Sequence, residues 1–192
     1  MTSKPGERKL QILQTVAQML EQPKSEKITT AALAERLDIS EAALYRHFAS
    51  KAQMFEGLIE FIEQTVFGLI NKITQEEKSG VKQVEEIVAM LFNFAQKNRG
   101  MTRVLTGDAL VNENERLQQR INQLLDRIEA TLKQSLRMAA TQGELGEAVD
   151  VGAYSNLLVC YVIGRWQQFA KSGFTREPMA QWPAQLSILL HE

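Results

Sequence analysis

Leu117, Ile121, Leu124, Ile128, Leu132 and Leu136 recur at steps of three and four residues, the spacing that aligns side chains along one stripe of an α-helix. Charged and amide residues flank the stripe on both sides. Such a stripe cannot stay in water over its whole length, so it commits the chain to packing helix against helix. The same period returns in Leu10, Leu13, Val16, Ala17 and Leu20, and again in Phe55, Leu58, Ile59, Ile62, Val66, Leu69 and Ile73. No segment alternates with period two and β-branched enrichment. The fold class is therefore all-α, and the chain contains no internal repeat or low-complexity tract.

Local breakers divide the chain into about nine helices. The first ends at Pro23 and the polar loop after it. Thr29 or Thr30 can cap a short second helix through Leu37, and Ser40 a third through Phe48. A long fourth helix runs from about residue 52 to 76, where Lys78, Ser79 and Gly80 break it. The fifth covers about 81–97, followed by a break at Asn98, Arg99 and Gly100. A short helix near 102–111 precedes the long one from 114 to about 140, with Gly143 and Gly146 in the next loop. The last two span about 151–172 and 178–190, separated by Gly173 and a turn before Pro178.

With 192 residues and 44% apolar side chains, the chain can bury a large core without disulfides or metal. Residues 54–70 are largely apolar but carry Glu56, Glu60 and Glu63, so no stretch suits a membrane span. Residues 1–6 lack the charged segment, apolar run and cleavage site of a secretory signal. The single cysteine, Cys160, suits a reducing cytoplasm, and its apolar neighbours place it in the core as an inert residue. Two histidines, His47 and His191, lie far apart, so neither a metal site nor a local catalytic constellation is visible. An enzyme is not expected, nor any cofactor. Net charge is −1, but residues 1–52 hold eight Lys and Arg against six Asp and Glu, a slightly basic head on an acidic body.

Residues 28–52, ITTAALAERLDISEAALYRHFASKA, are the most informative stretch. A short helix with small residues, a tight turn and a second short helix follow at helix-turn-helix spacing. Ala31, Ala32 and Ala34 allow close approach, while Leu33, Leu37, Ile39, Leu44 and Phe48 lock the two helices together. The start of the third helix then points Ser40, Glu41, Ala42, Ala43, Tyr45 and Arg46 outward, as a recognition helix must to reach base edges. Thr29 and Thr30 sit at a helix N-terminus, whose N–H groups suit a DNA phosphate; both also serve as plain caps. Tyr45 can lie on the sugar-phosphate backbone, and Arg46 or His47 can reach a phosphate or a base. Lys51 is a second phosphate candidate, although an isolated lysine is more often a solvated charge.

The run L-Y-R-H-F at 44–48, with Lys51 after it and Thr29-Thr30 before it, resembles the head of the TetR family of transcriptional regulators. That resemblance implies an all-helical fold of about nine helices, with residues 1–52 as a DNA-binding head and 53–192 as the dimerisation and partner-binding domain. It also implies a two-fold homodimer on double-stranded DNA. Asp38 stands where a glycine is usual in the turn, and Asp tolerates the left-handed backbone better than most residues.

The stretches SEAALYRHFASK at 40–51, LIEFIE at 58–63, MTRVLTGDAL at 101–110 and RLQQRINQLLDRIEATLKQ at 116–134 are similar to the nucleoid-occlusion members of the same family. What that implies is a nucleoid-associated cytoplasmic protein that, bound to chromosomal sites, antagonises polymers of the division protein FtsZ. The partner surface implied lies on the fourth and fifth helices, where Phe61 and Asn98 match and Lys97 keeps the charge of an arginine. Leu69 stands where a basic residue is common, and the basic arm usual at the N-terminus is diluted here by Pro5, Gly6 and Glu7. The alternative is a repressor released from DNA by a small molecule, its pocket drawing on Phe92, Phe94, Tyr161 and Trp166, although these read first as core residues. Leu157, Tyr161, Gly164 and Gln168, with Leu186, Leu189 and Leu190, form stripes on the last two helices that fit a dimer interface or an internal core.

Overall fold

The computed structural model describes residues 6–22, 28–111, 113–146 and 148–190. Among the described residues there are nine α-helices and no strand: α1 Glu7–Leu20, α2 Thr30–Arg36, α3 Glu41–Tyr45, α4 Lys51–Glu76, α5 Gly80–Lys97, α6 Arg99–Leu105, α7 Glu115–Thr141, α8 Val151–Lys171 and α9 Trp182–Leu190. One turn of 3-10 helix, Asp108–Leu110, lies between α6 and α7, and another, Pro178–Gln181, precedes α9. Pro23, expected to end the first helix, lies outside the described residues, as do Lys4 and Pro5 of the N-terminal arm and His191.

By packing, the chain forms two compact units. The first comprises Met1–Ile62 and Asn98–Ile121, the second Glu63–Lys97 and Asn122–Glu192. In the first unit Ile12, Val16, Leu33, Leu44, Phe55 and Leu58 are buried, with Val104 and Leu117. Gly100, read from sequence as part of a break, is the second residue of α6 and faces α1. A methyl group there would overlap the Ala17 carbonyl, so the glycine lets two helix backbones touch. The break itself is confined to Asn98, whose ψ of 63° ends one helix and opens the next.

In the second unit the stripe of α7 is buried as the period requires, Leu124, Ile128, Leu132 and Leu136 all being inside with Trp166 and Phe92. Gln83 is buried too, and its amide oxygen accepts from the Ser135 hydroxyl at 2.8 Å while its Nε2 donates to the Thr74 and Glu77 carbonyls. A buried amide with its capacity filled this way stabilises rather than costs. Phe92 meets Tyr161 and Trp182 edge-on with centroids 5.6 and 5.5 Å apart, and the Trp166 indole donates to the Leu91 carbonyl at 3.3 Å. These aromatics fill space against one another, Phe92 and Trp166 being fully buried.

Three further sequence expectations need correction here. Cys160 is exposed and not core. Every residue from 157 to 162 is apolar, so the run carries no register, and packing turns Leu158, Val159 and Val162 inward and Leu157 and Cys160 outward. On α4 the buried stripe ends on Ile70, leaving Leu69 exposed, because a 3.6-residue turn drifts away from a strict heptad. On α1 Ile12 takes the inward position and Leu10 is exposed.

Helix ends follow local chemistry closely. α7 stops at a left-handed Gly143, with the Glu144 N–H on the Ala139 carbonyl and the Gly143 N–H on that of Ala140. Glu144 then turns to α5, where its carboxylate accepts from the Val81 N–H at 3.0 Å. That amide, with the Ser79 hydroxyl, holds the Glu144 carboxyl below its ordinary pKa. Asp150 caps α8 by accepting from Gly152 and Ala153, and the Ala153 and Gly152 amides lower its pKa likewise.

Candidate nucleic-acid interface

The first unit presents the helix-turn-helix the sequence implied. Thr29 is the cap of α2, in extended backbone, its hydroxyl oxygen accepting from the Ala32 N–H at 3.1 Å. Leu33 and Ala34 are buried on one side of α2, and Leu37 is buried just beyond its end. The turn is then made by Asp38 at φ 52°, a left-handed residue. Its N–H donates to the Glu35 carbonyl and the Ile39 N–H to that of Ala34, both at 3.0 Å, the pair of bonds that closes a Schellman motif.

Ser40 opens α3 as its cap, accepting from the Ala43 N–H at 3.1 Å. The α-helix ends at Tyr45, shorter than the span to Phe48 expected from sequence. The His47 N–H turns back to the Leu44 carbonyl, and Phe48 is buried as the plug after that turn, with the Lys9 ammonium 5.6 Å from its ring centre. The Phe48 N–H also reaches the Leu44 carbonyl, at 3.2 Å, so two amides converge on one acceptor where the rod ends.

Leu44 is the buried anchor of α3. Ser40, Glu41, Ala42 and Arg46 are exposed, Ala43 and His47 half-buried, and Tyr45 is 46% exposed. The outer face is thus open along its length, with small Ala42 and Ala43 at its centre and polar groups around them. Two of its residues are tied to each other: the Thr30 hydroxyl donates to a Glu41 carboxylate oxygen at 2.6 Å. That bond joins the first turn of α2 to the first turn of α3.

Helix α4 begins with a reciprocal cap. The Gln53 N–H donates to the Ser50 hydroxyl at 3.2 Å, and the Gln53 side-chain oxygen accepts from the Ala49 N–H at 2.8 Å. Lys51 follows as the first helical residue, and its ammonium forms an ion pair with the carboxylate of Glu113, beyond the 3-10 turn Asp108–Leu110. Sequence reasoning missed Glu113 entirely, since nothing local links residues 62 positions apart.

A family model described as bacterial regulatory proteins of the tetR family matches residues 12–58, and one described as the tetracyclin repressor-like C-terminal domain, SlmA-like, matches residues 78–192. The nucleoid occlusion factor SlmA of Marinomonas sp. is 49% identical over 98% of this chain and 96% of its own length. The chain belongs to the SlmA branch of the TetR family. The SlmA of Alteromonas mediterranea is also 49% identical, over 95% of the chain and 93% of its own length. Among solved structures, the fatty acid degradation regulator FadR of Bacillus halodurans superposes with a TM-score of 0.79, covering 100% of this chain and 97% of its own, at 16% identity. At that identity the likeness concerns the TetR fold alone.

The three residues expected from sequence to contact a partner are Phe61, Lys97 and Asn98. Phe61, on α4, is exposed and belongs to the first unit, with the half-buried Asn98. Lys97 is exposed at the end of α5, in the second. The Asn98 carbonyl accepts from the Thr102 N–H and hydroxyl at 2.9 and 3.1 Å, which fixes the backbone where α5 gives way to α6.

Proposed function

We propose that this protein is a nucleoid occlusion factor. As a homodimer it binds specific sites in double-stranded chromosomal DNA, and in that state antagonises FtsZ polymers, so that the division ring does not assemble over the nucleoid. The observation that carries this reading is the 49% identity over 98% of the chain to a protein bearing that name, which takes in head and body together. It acts by binding and not by catalysis, in the cytoplasm on the nucleoid.

In this reading residues 1–52 are the DNA-binding head and 53–192 the dimerisation and partner domain. The exposed start of α3 enters the major groove, with Ser40, Glu41, Ala42 and Ala43 facing base edges. Tyr45 packs on the sugar-phosphate backbone, Arg46 and His47 reach phosphate or base, and Thr29, Thr30 and Lys51 face phosphates. Phe61, Lys97 and Asn98 contact FtsZ. The dimer uses the outer faces of α8 and α9, where Leu157 is 53% and Ile188 76% exposed beside Cys160 and Gly164. Large apolar side chains held in water on two adjacent helices favour a self-complementary four-helix contact. Leu190, which is buried, belongs to the core instead.

The test is light scattering of FtsZ polymers with protein alone and with protein on a duplex selected from a random-sequence pool. Faster loss of polymer with the selected duplex is expected. An unchanged signal in both conditions, with DNA binding intact, would favour a repressor released by a small molecule.

A further inference from the structure

The ion pair between Lys51 and Glu113 sits where the DNA-binding reading places a phosphate. Lys51 is the first residue of α4, and the Phe55 ring lies 5.6 Å from its ammonium on the helix side. Glu113 is held in place by its own backbone, the Glu113 N–H donating to the Leu110 carbonyl at 3.0 Å. The side chains are only 22% and 14% exposed, so the pair is neither freely solvated nor sealed off. A carboxylate and a phosphate oxygen offer an ammonium the same charge-assisted hydrogen bond. A lysine has a compact ammonium and a flexible stem, so it can pass from one to the other without rebuilding the helix.

We infer that Glu113 is a resident competitor for Lys51: its carboxylate occupies the ammonium in the DNA-free protein, and a DNA phosphate must displace it. This rests on the DNA-binding reading above and adds a role for the segment between α6 and α7. Displacement breaks the Lys51–Glu113 ion pair, and that loss is subtracted from what the phosphate contact gains. Glu113 therefore lowers affinity for every sequence alike, and the contacts of α3 with bases must overcome it. Non-specific DNA, which lacks those contacts, is held more weakly as a result.

Fluorescence anisotropy with the selected duplex and with a scrambled one tests this in a double-mutant cycle. Glu113→Gln is expected to tighten binding to both duplexes by about three- to tenfold at about 0.1 M salt. In a Lys51→Ala background the same change is expected to shift affinity by less than about twofold, because the competitor has nothing left to hold. Glu113→Asp, which keeps the charge on a shorter stem, is expected to give a smaller gain and serves if the Gln variant fails to fold. An unchanged or weaker affinity in the folded Gln variant would overturn the inference, since Glu113 would then orient Lys51 toward DNA. An equal gain with and without Lys51 would overturn it too, as general charge removal. Wild-type protein that binds no duplex would sink the DNA-binding reading itself, and the competitor with it.

Discussion

Two residues of the head show how a single side chain carries a structural or functional consequence. Asp38 stands in the left-handed region at φ 52°, where a Cβ is disfavoured. The sequence already marks this position as a tight turn in which Asp replaces the more usual Gly. Asp38→Gly is expected to stabilise the protein by up to about 1 kcal/mol, the relief of the left-handed penalty less the entropy of an added glycine. That corresponds to a rise of about 2–4 °C in the thermal midpoint for a chain of this size, readable by circular dichroism. A fall in the midpoint would mean that the Asp side chain itself holds the turn. Lys51→Ala belongs to the same scale. It is expected to weaken binding to selected and scrambled duplexes alike and to flatten the log–log salt dependence by about one unit, measured by anisotropy titrations. A change in sequence preference would assign Lys51 to a base instead.

At the scale of the elements, the ends are set by short-range acceptors. Thr29, Ser40 and Asp150 cap α2, α3 and α8, and the first two were readable from their place before a helical run. Three carboxylates accept backbone N–H groups at such junctions. The Ser79 amide and then the Lys78 amide lower the pKa of Glu77, the Val81 amide that of Glu144, and the Ala153 and Gly152 amides that of Asp150. Each group binds its proton less readily in the folded chain than in the unfolded one. Its contribution is therefore present above the ordinary carboxylate pKa and disappears as pH falls through the lowered folded value. Stability by urea denaturation is expected to decline on acidification below about pH 4.5. The triple variant Glu77→Gln, Glu144→Gln, Asp150→Asn is expected to decline less steeply there; an identical acid limb would show that these caps do not control it. The breaks that sequence misread are those made by neighbours. Gly100 looks like a helix breaker beside Asn98 and Arg99, yet it lies inside α6, where its missing side chain lets the backbone of α1 approach.

For the whole molecule, the proposed dimer is what turns two short recognition rods into a reader of DNA. Two-fold symmetry is expected to place the rods about one helical turn apart, ~34–36 Å or a multiple, over a near-palindromic site. Ile188→Asp puts a charge where that reading buries an apolar side chain, and Leu157→Arg does the same on α8. Each variant is expected to run as a monomer in size-exclusion chromatography with light scattering, and to lose at least tenfold in affinity for the selected duplex, since one head alone covers half the site. A dimer that survives both changes would move the interface away from α8 and α9. A selected site without two-fold symmetry would remove the paired reading altogether.

What the sequence determined by itself is whatever a few neighbouring residues decide: the helical period, the caps at Thr29 and Ser40, the left-handed turn at Asp38 and the buried Phe48. Those features rest on hydrogen bonds and side-chain directions within about one helical turn, so their signals survive in the linear order. Tertiary structure alone decided which carboxylate reaches Lys51, why Gly100 has no side chain, and that Cys160 faces outward. Each of these depends on a surface brought from far along the chain, or on the rotation of a helix through its all-apolar stretch 157–162, and local propensity is silent on both.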